Sequence, residues 1–160
     1  MGEIEPEGCI KIDNVDIRSV GLTFLRQGLA IIPQTPFIFQ SSIRSNLDPF
    51  DKYTTEEIWQ ALQSVQLKDF VVSLEKQLDT EITSVSNTFS IGQKQLICLA
   101  RMLLRQSRLV VLDEATANVD LHTDSIIQEM VKTRFEESTV FCIAHRLLTI
   151  ADYDKVLVLD

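Results

Sequence analysis

The fold of this chain is decided by residues 89–114, which read FSIGQKQLICLARMLLRQSRLVVLDE. Ser90 followed three places later by Gln93 is a capping box, so a helix should begin here. Apolar residues then recur at helical spacing and should form one buried stripe: Leu96, Leu99, Ala100, Leu103 and Leu104. The aliphatic run after that helix is typical of a central parallel strand. Asp113 and Glu114 end it, and because ligands bind beyond strand ends in open α/β sheets, these two acids predict a site.

Length and composition are those of one globular domain with an acidic surface. The 160 residues are 45% apolar, enough to fill a core, and the formal net charge is −8. This charge argues against non-specific binding to nucleic acid or anionic membranes. Cys98 and Cys142 lie in apolar runs, so we expect buried reduced thiols rather than a disulfide or a metal set. No membrane span or signal peptide is visible, which predicts a soluble, intracellular chain.

Apolar strands alternate with helices along the chain, which predicts an α/β fold with a mostly parallel sheet. The predicted strands are residues 9–12, 29–32, 109–112, 139–143 and 156–159. Thr54 and Glu57 form a second capping box, and Asp120 is placed to cap a later helix. We expect residues 41–105 to form a helical subdomain inserted between two strands.

Four polar side chains follow buried strands, at positions that parallel strands bring to one edge: Gln34, Asp113, Glu114 and His145. Two carboxylates, an amide and an imidazole suit metal-assisted hydrolysis of a phosphoanhydride. One acid would hold Mg²⁺ through water, and the next would accept the proton of an attacking water. Ser90 and Gly92 open a helix whose free N–H groups favour an anion.

Each of these residues also has a purely structural interpretation. Ser90 and Asp120 are explained as helix caps, and Asp113 and Glu114 as solvated acids at a strand end. Gln34 and His145 are explained as polar loop residues. The apolar trio at residues 37–39 is either a docking patch or an inward-folding loop, and the residues alone favour the inward alternative. The joint order and spacing of the polar residues favour a functional site.

That order resembles the nucleotide-binding domain of an ATP-binding-cassette (ABC) transporter over residues 8–160. The matching pieces are similar to its Q-loop, signature, Walker B, D-loop and switch histidine: Gln34, residues 89–93, 109–114, 115–120 and 144–146. Residues 46–50 and 113–117 resemble the multidrug-resistance-associated branch (sub-family C), especially its second nucleotide-binding domain. The resemblance implies a P-loop NTPase-like sheet with strands and Q-loop at residues 8–40, a helical signature subdomain at 41–106 and a sheet core at 107–160.

The resemblance also implies a role for each matching residue, with ATP and Mg²⁺ as cofactors. Asp113, with Gln34, would hold Mg²⁺. Glu114 would be the general base, and His145 and Gln34 would sense the γ-phosphate and the metal.

The partners implied are a second nucleotide-binding domain and the transmembrane domains of an exporter. Four signature residues would bind ATP held mainly by the second domain in a head-to-tail pair: Ser90, Ile91, Gly92 and Gln93. Asp120 would cross that interface. Residues 37–50 would face the membrane domain, which raises the docking alternative for the apolar trio. This domain would lie at the cytoplasmic face of a membrane, in a parent that is an integral membrane protein.

The sequence departs from the family pattern in one major way. No Gly-x-x-x-x-Gly-Lys-[Ser/Thr] loop (Walker A) occurs in it, so it lacks the backbone cradle and the lysine that hold phosphates. Ile91 replaces the first signature glycine, and residues 84–87 lack the glycine pair the family often has. We therefore expect an incomplete fold, without the N-terminal strands and the P-loop helix, and impaired ATP binding by this chain alone.

The missing P-loop piece has a physical consequence, because it occupies the middle of the family's sheet. Without it an apolar sheet face should be exposed and strands should lack neighbours. We expect the isolated chain to be marginally stable or prone to aggregate.

Three other functions were compatible with the sequence. One is a non-catalytic regulatory module that pairs with a complete nucleotide-binding domain through its signature face. Another is an ATPase head of the chromosome-maintenance type, but no coiled-coil insertion and no basic footprint for DNA is present. The third is a degenerate product without a role.

Overall fold

The computed structural model describes residues 8–83, 89–115, 119–143 and 153–158. The strands are β1 (Lys11–Ile12), β2 (Val15–Asp16), β3 (Leu29–Ile32), β4 (Leu109–Asp113) and β5 (Thr139–Ile143). The helices are α1 (Leu22–Gly28), α2 (Ile43–Leu47), α3 (Thr55–Ser64), α4 (Lys68–Val72), α5 (Ile91–Arg105) and α6 (Leu121–Arg134), with 3-10 turns at Ile17–Ser19 and Gln77–Asp79.

The strand predicted at residues 9–12 is shorter than expected and lies outside the main sheet. β1 pairs antiparallel with β2 alone, with Ile12 opposite Val15. Asp13 and Asn14 between them have φ angles of 49° and 65°, the two left-handed residues that a two-residue hairpin turn requires. The tight turn ends the strand after two residues and folds it back on the next one.

The main sheet has three strands in the order β3–β4–β5, and both pairs are parallel. The predicted α/β class with a parallel sheet is confirmed. The prediction of a last strand at residues 156–159 is wrong for residues 156–158, the part of it that the structure describes. Residues 156–158 form no strand, and Leu157 is 82% exposed. An apolar run becomes a strand only when a neighbour pairs with its backbone, and sequence periodicity does not show whether that neighbour is present.

One face of this sheet is buried and the other is open. The buried face shares one core with the helices: Ala30, Ile32, Val110 and Leu112. On the opposite face Ile31, Val111 and Phe141 are partners in register across the three strands. Ile31 is 61% and Phe141 58% exposed, whereas Ile32 next to Ile31 is fully buried. This set, here called the open row, confirms the expected exposed apolar face.

The helices between β3 and β4 supply most of the remaining core. α5 begins at the predicted capping box, and Leu96, Leu99, Ala100 and Leu104 of its predicted stripe are buried. Burial extends further round this helix than the stripe, since α2, α3, α6 and β3 all contact it. α3 likewise begins at its predicted capping box. Cys98 is buried and Cys142 half-buried, both are free thiols, and burial raises the pKa of Cys98.

The loop after β3 corrects the inward prediction for the apolar trio. Only Ile38 packs against the core, whereas Phe37 is 62% and Phe39 44% exposed and their rings contact edge to face. The polar groups of this loop are hydrogen-bonded to the buried side chain of Asn46 and the half-buried side chain of Arg101. Asn46 exchanges hydrogen bonds with the N–H and carbonyl of Phe39, at 2.8 Å and 3.0 Å. Arg101 donates to the carbonyl of Phe37 and lies over the Phe39 ring. With its backbone fixed in this way, the loop presents both rings to solvent.

Candidate functional site

The ends of β3 and β4 bring together two of the predicted site residues. Gln34 Nε2 donates a hydrogen bond of 2.8 Å to Glu114 Oε2, although the two residues are 80 positions apart in the chain. The ladder between these strands ends at the pair Ile32 and Leu112, so both side chains project just beyond it. This geometry agrees with the expectation that the Gln34 amide and the Glu114 carboxylate lie together at this edge of the sheet.

Glu114 is held in an unusual backbone conformation. Its φ is 46°, in the left-handed region that costs a non-glycine residue about 1 kcal/mol or more. Its N–H donates to the carbonyl of Ile143 at the end of β5, at 3.0 Å. Asp113 precedes it as the last residue of β4, opposite Ile143 in the ladder, and is partly exposed. The two acids therefore leave the strand at a turn that β5 fixes.

A second group of predicted residues lies at the start of α5. Ser90 Oγ accepts the N–H of Gln93 at 3.1 Å, and Gln93 Oε1 accepts the N–H of Ser90 at 2.9 Å. Both side chains are thus used by the capping box, as the structural interpretation of Ser90 predicted. Ile91 follows the cap and is 55% exposed. The N–H groups of Ile91 and Gly92 are those of this first turn that the capping box does not use, so they are the ones that could meet an anion.

Asp120 belongs to the same group, because the start of α6 touches the start of α5. Asp120 caps α6 by accepting the N–H of Thr123 at 3.0 Å and the Thr123 hydroxyl at 2.8 Å. These two hydrogen bonds hold the pKa of the Asp120 carboxyl below its ordinary value. A Cβ on Gly92 would lie 2.7 Å from Thr123 Oγ1, so only glycine fits at this contact.

One residue that the sequence analysis did not single out joins the two strand ends. Gln95, on α5, is 1% exposed and its Nε2 donates to the carbonyls of Pro33, at 3.2 Å, and Ala115, at 3.0 Å. A signal existed in the sequence, because Gln95 stands four residues before Leu99 and so lies on the buried stripe of α5. A polar residue on that face needs an internal partner.

Some predicted residues lie outside the described part of the chain. These are His145, the D-loop residues 116–118, and residues 84–88 ahead of the signature.

Comparison with known proteins identifies the family of this chain. The model of the family described as "ABC transporter" matches residues 1–117. The chain belongs to the ABC transporter family. Human "ATP-binding cassette sub-family C member 2" is 56% identical over 153 residues, which are 96% of this chain and 10% of that protein. Human "ATP-binding cassette sub-family C member 4" is 50% identical over 156 residues, 98% of this chain and 12% of that protein. The chain is thus a nucleotide-binding domain of the sub-family C type, and it spans about a tenth of the length of these relatives.

A solved structure shows the same fold. The "Structure of a bacterial Atm1-family ABC exporter with ATP bound" superposes with a TM-score of 0.87 at 36% identity, covering 96% of this chain and 27% of that one. Within the described ranges of this ABC chain, no helix has the length and apolarity to cross a membrane.

The described residues fit Mg²⁺ and ATP in part. Because the Gln34 Nε2 atom is bonded to Glu114, its Oε1 atom is left as an acceptor at the strand ends, where Asp113 is the last residue of β4. In the parts of the chain that are described, no cluster of three or more His, Cys, Asp or Glu could hold a metal. Mg²⁺ usually takes one or two protein ligands together with water and substrate phosphates, and Asp113 and Gln34 are residues of the described part that could supply them. The sequence contains no Walker A motif.

Proposed function

We propose that this domain is the ATP-hydrolysing part of a sub-family C exporter and that Gln34, Asp113, Glu114 and His145 form its catalytic edge. The observation that carries the proposal is the 2.8 Å hydrogen bond from Gln34 to Glu114. Two polar residues that distant in sequence meet at a sheet edge where this fold class binds ligands. The relatives of sub-family C and the exporter solved with ATP bound support the same activity.

Each residue then has a defined task. Mg²⁺ bound to ATP supplies charge neutralisation on the phosphates, and Asp113 with Gln34 Oε1 would hold it. Glu114 accepts the proton of the attacking water, and its hydrogen bond to Gln34 fixes the direction of its carboxylate. His145 donates to a terminal phosphate oxygen.

The signature group acts on a nucleotide held mostly by a partner domain. The first turn of α5, residues 90–93, binds the γ-phosphate, to which Ile91 and Gly92 present N–H groups that the capping box leaves unused. Asp120 crosses the interface between the two domains. In the intact parent, hydrolysis drives export of organic anions or conjugates, with this domain at the cytoplasmic face of the membrane. The exposed rings of Phe37 and Phe39 face the transmembrane domains.

The test is a titration with Mg²⁺–ATP in two contexts. In the full transporter that contains this domain, Glu114→Gln should abolish turnover while leaving nucleotide binding in place, because it removes only the base. Turnover that survives this change would contradict the proposed role of Glu114. The 160-residue chain alone should bind Mg²⁺–ATP weakly, since it has no phosphate cradle. Submicromolar affinity, or turnover by the chain that Glu114→Gln abolishes, would contradict that expectation.

A second candidate function is a non-catalytic module that offers its signature face to a complete nucleotide-binding domain. It is favoured by the geometry at the start of α5 and α6, where both helices are capped and the two helices are in contact. Such a module should co-purify with a complete domain in the presence of ATP, and Ser90→Arg should abolish the interaction because it blocks the anion-binding turn.

A further inference from the structure

We propose that Gln95 is a positioning residue that holds the ends of β3 and β4 together and thereby sets the hydrogen bond between Gln34 and Glu114. This inference rests on the proposed hydrolytic function of those two residues.

The side chain of Gln95 bridges the two loops immediately next to the catalytic edge. It donates to the carbonyl of Pro33, which directly precedes Gln34, and to the carbonyl of Ala115, which directly follows Glu114. These partners are 62 and 20 positions away in sequence, so the bridge is tertiary. One amide nitrogen therefore fixes the distance between the two backbone segments that carry the site.

The backbone provides no equivalent link at this point. The ladder from β3 to β4 ends at Ile32 and Leu112. The next residue of the first strand is Pro33, which has no N–H to donate and so cannot extend the ladder. The amide of Gln95 supplies a donor from the helix above.

The orientation of the amide is unambiguous. Both partners are carbonyl oxygens, so only the nitrogen of Gln95 can face them. The Oε1 atom then points the other way, and it is buried without a hydrogen-bond partner among the described residues. An amide buried with half of its capacity unused costs free energy that Leu or Met at the same position would not incur. A bridging role explains why an amide occupies this position.

The conformation of Glu114 makes the site sensitive to this bridge. Its positive φ is unfavourable and persists only if the segments on either side of it are held. The N–H of Glu114 is held by Ile143 on β5, and the carbonyl that follows it, on Ala115, is held by Gln95. Removing the amide releases one of these two anchors.

The first experiment uses the spectrum of the chain and needs no ATP. In the 15N-labelled 160-residue chain, the Gln34 side-chain NH2 signals, assigned by their loss in Gln34→Glu, should shift when Glu114 is changed to Gln. In Gln95→Met these signals should move away from their wild-type position and lose most of the response to Glu114→Gln. The control is Leu99→Met, a buried, volume-conserving substitution one turn further along α5. It should change neither the position of the Gln34 signals nor their response to Glu114→Gln. Wild-type signals in Gln95→Met would overturn the proposal.

The second experiment measures turnover in the full transporter. Gln95→Met should lower kcat about tenfold to a hundredfold, as expected for a misplaced catalytic group, with KM for Mg²⁺–ATP within about twofold of wild type. The effect should largely disappear in a Gln34→Ala background, because the bond that Gln95 positions is then absent. A rise in KM at constant kcat, or full additivity with Gln34→Ala, would overturn the proposal.

Two arms separate failure of this inference from failure of the proposed function. If wild type hydrolyses ATP and Glu114→Gln does not, the catalytic edge stands and Gln95→Met alone decides the positioning role. If Glu114→Gln is active, the proposed function fails, and the spectrum of Gln34 still reports whether Gln95 positions it. Should Gln95→Met fail to fold, Gln95→Asn keeps the buried amide but is too short to span both carbonyls. It should shift the Gln34 signals in the same direction, and unchanged signals would overturn the proposal.

Discussion

A Cβ atom on Gly92 would lie 2.7 Å from Thr123 Oγ1 and 3.0 Å from Asp120 Oδ2. Those two atoms hydrogen-bond to each other beside the backbone bond that caps α6, so a methyl group here would disturb the cap. We expect Gly92→Ala to lower the free energy of unfolding by about 1–3 kcal/mol, the usual cost of overpacking. Urea denaturation of the chain measures this change.

The matched control is Gly28→Ala, at the end of α1. A Cβ there meets nothing within 4 Å, so the change should be neutral or slightly stabilising. Equal effects of the two substitutions would show that the contact between Gly92 and the α6 cap does not matter.

The cap of α6 should also make stability depend on pH. Hydrogen bonds from the N–H and hydroxyl of Thr123 lower the pKa of Asp120 below 3.8. A carboxyl with a lowered pKa in the folded state stabilises fully above its ordinary value, and this contribution is lost as the pH falls through the lowered one. Asp120→Asn caps without titrating, so the difference in urea midpoint between wild type and Asp120→Asn should shrink between pH 5 and pH 2. A constant difference over that range would contradict this assignment.

At the scale of elements, the loop after β3 depends on one residue of α2. Asn46 is fully buried, and its side chain bonds the loop at the N–H of Phe39 and at the carbonyls of Phe39 and Ser42. Asn46→Ala leaves these groups and one guanidinium bond of Arg101 without their partner. We expect a loss of about 2–4 kcal/mol, from several buried groups left unsatisfied together.

Urea denaturation of the chain, at a temperature and concentration where it does not aggregate, measures the effect of Asn46→Ala on the free energy of unfolding. The comparison is Gln63→Ala on the exposed side of α3, which should stay within about 0.5 kcal/mol of wild type. If Asn46→Ala lowers the stability no more than Gln63→Ala does, the loop is held by something other than the Asn46 amide.

The sequence alone predicted well where local elements begin. It predicted poorly which other parts of the chain pack against them or pair with them. The capping boxes at Ser90 and Thr54 place the starts of α5 and α3, because a helix start depends on residues within one turn. The exposure of Phe37 and Phe39 depends on Asn46 and Arg101, which lie elsewhere in the chain. The strand predicted at residues 156–159 was wrong over its described residues, 156–158, for the same reason, since pairing requires a neighbouring strand.

The candidate site likewise contains one contact that the sequence predicted and one that it did not. Parallel strand ends predicted that Gln34 and Glu114 would lie at one edge, and their hydrogen bond agrees. The bridge through Gln95 was missed because a polar residue in a helix has many possible partners and the sequence does not show which carbonyls lie above it. The roles of His145 and the signature residues stay predictions.

At the scale of the whole molecule, the two faces of the sheet should respond differently to the same substitution. Ile31 and Ile32 are neighbours in β3, yet Ile31 is 61% exposed and Ile32 fully buried. In the isolated chain, Ile32→Ala should cost about 2–5 kcal/mol, whereas Ile31→Ala should cost under about 1 kcal/mol. Urea denaturation of both variants measures the difference, and similar losses would mean that the open row is covered in solution.

The open row should also make the isolated chain prone to associate. Ile31, Val111 and Phe141 adjoin across three strands, and contiguous apolar surface favours association. We expect the isolated chain to melt broadly or to aggregate, as light scattering during heating would show. A sharp two-state melt of a monomer, at a midpoint typical of mesophile domains, would contradict this expectation.

The hydrogen bonds between α5 and the loop after β3 have a mechanical consequence. Cys98 in the middle of this helix and Arg101 three residues further on bond the carbonyl of Phe37, while Gln95 near its start bonds both strand ends. Six residues separate Gln95 from Arg101, about 9 Å of continuous helix. We therefore expect a displacement of the two exposed rings to be carried to the carboxylate edge through this one helix.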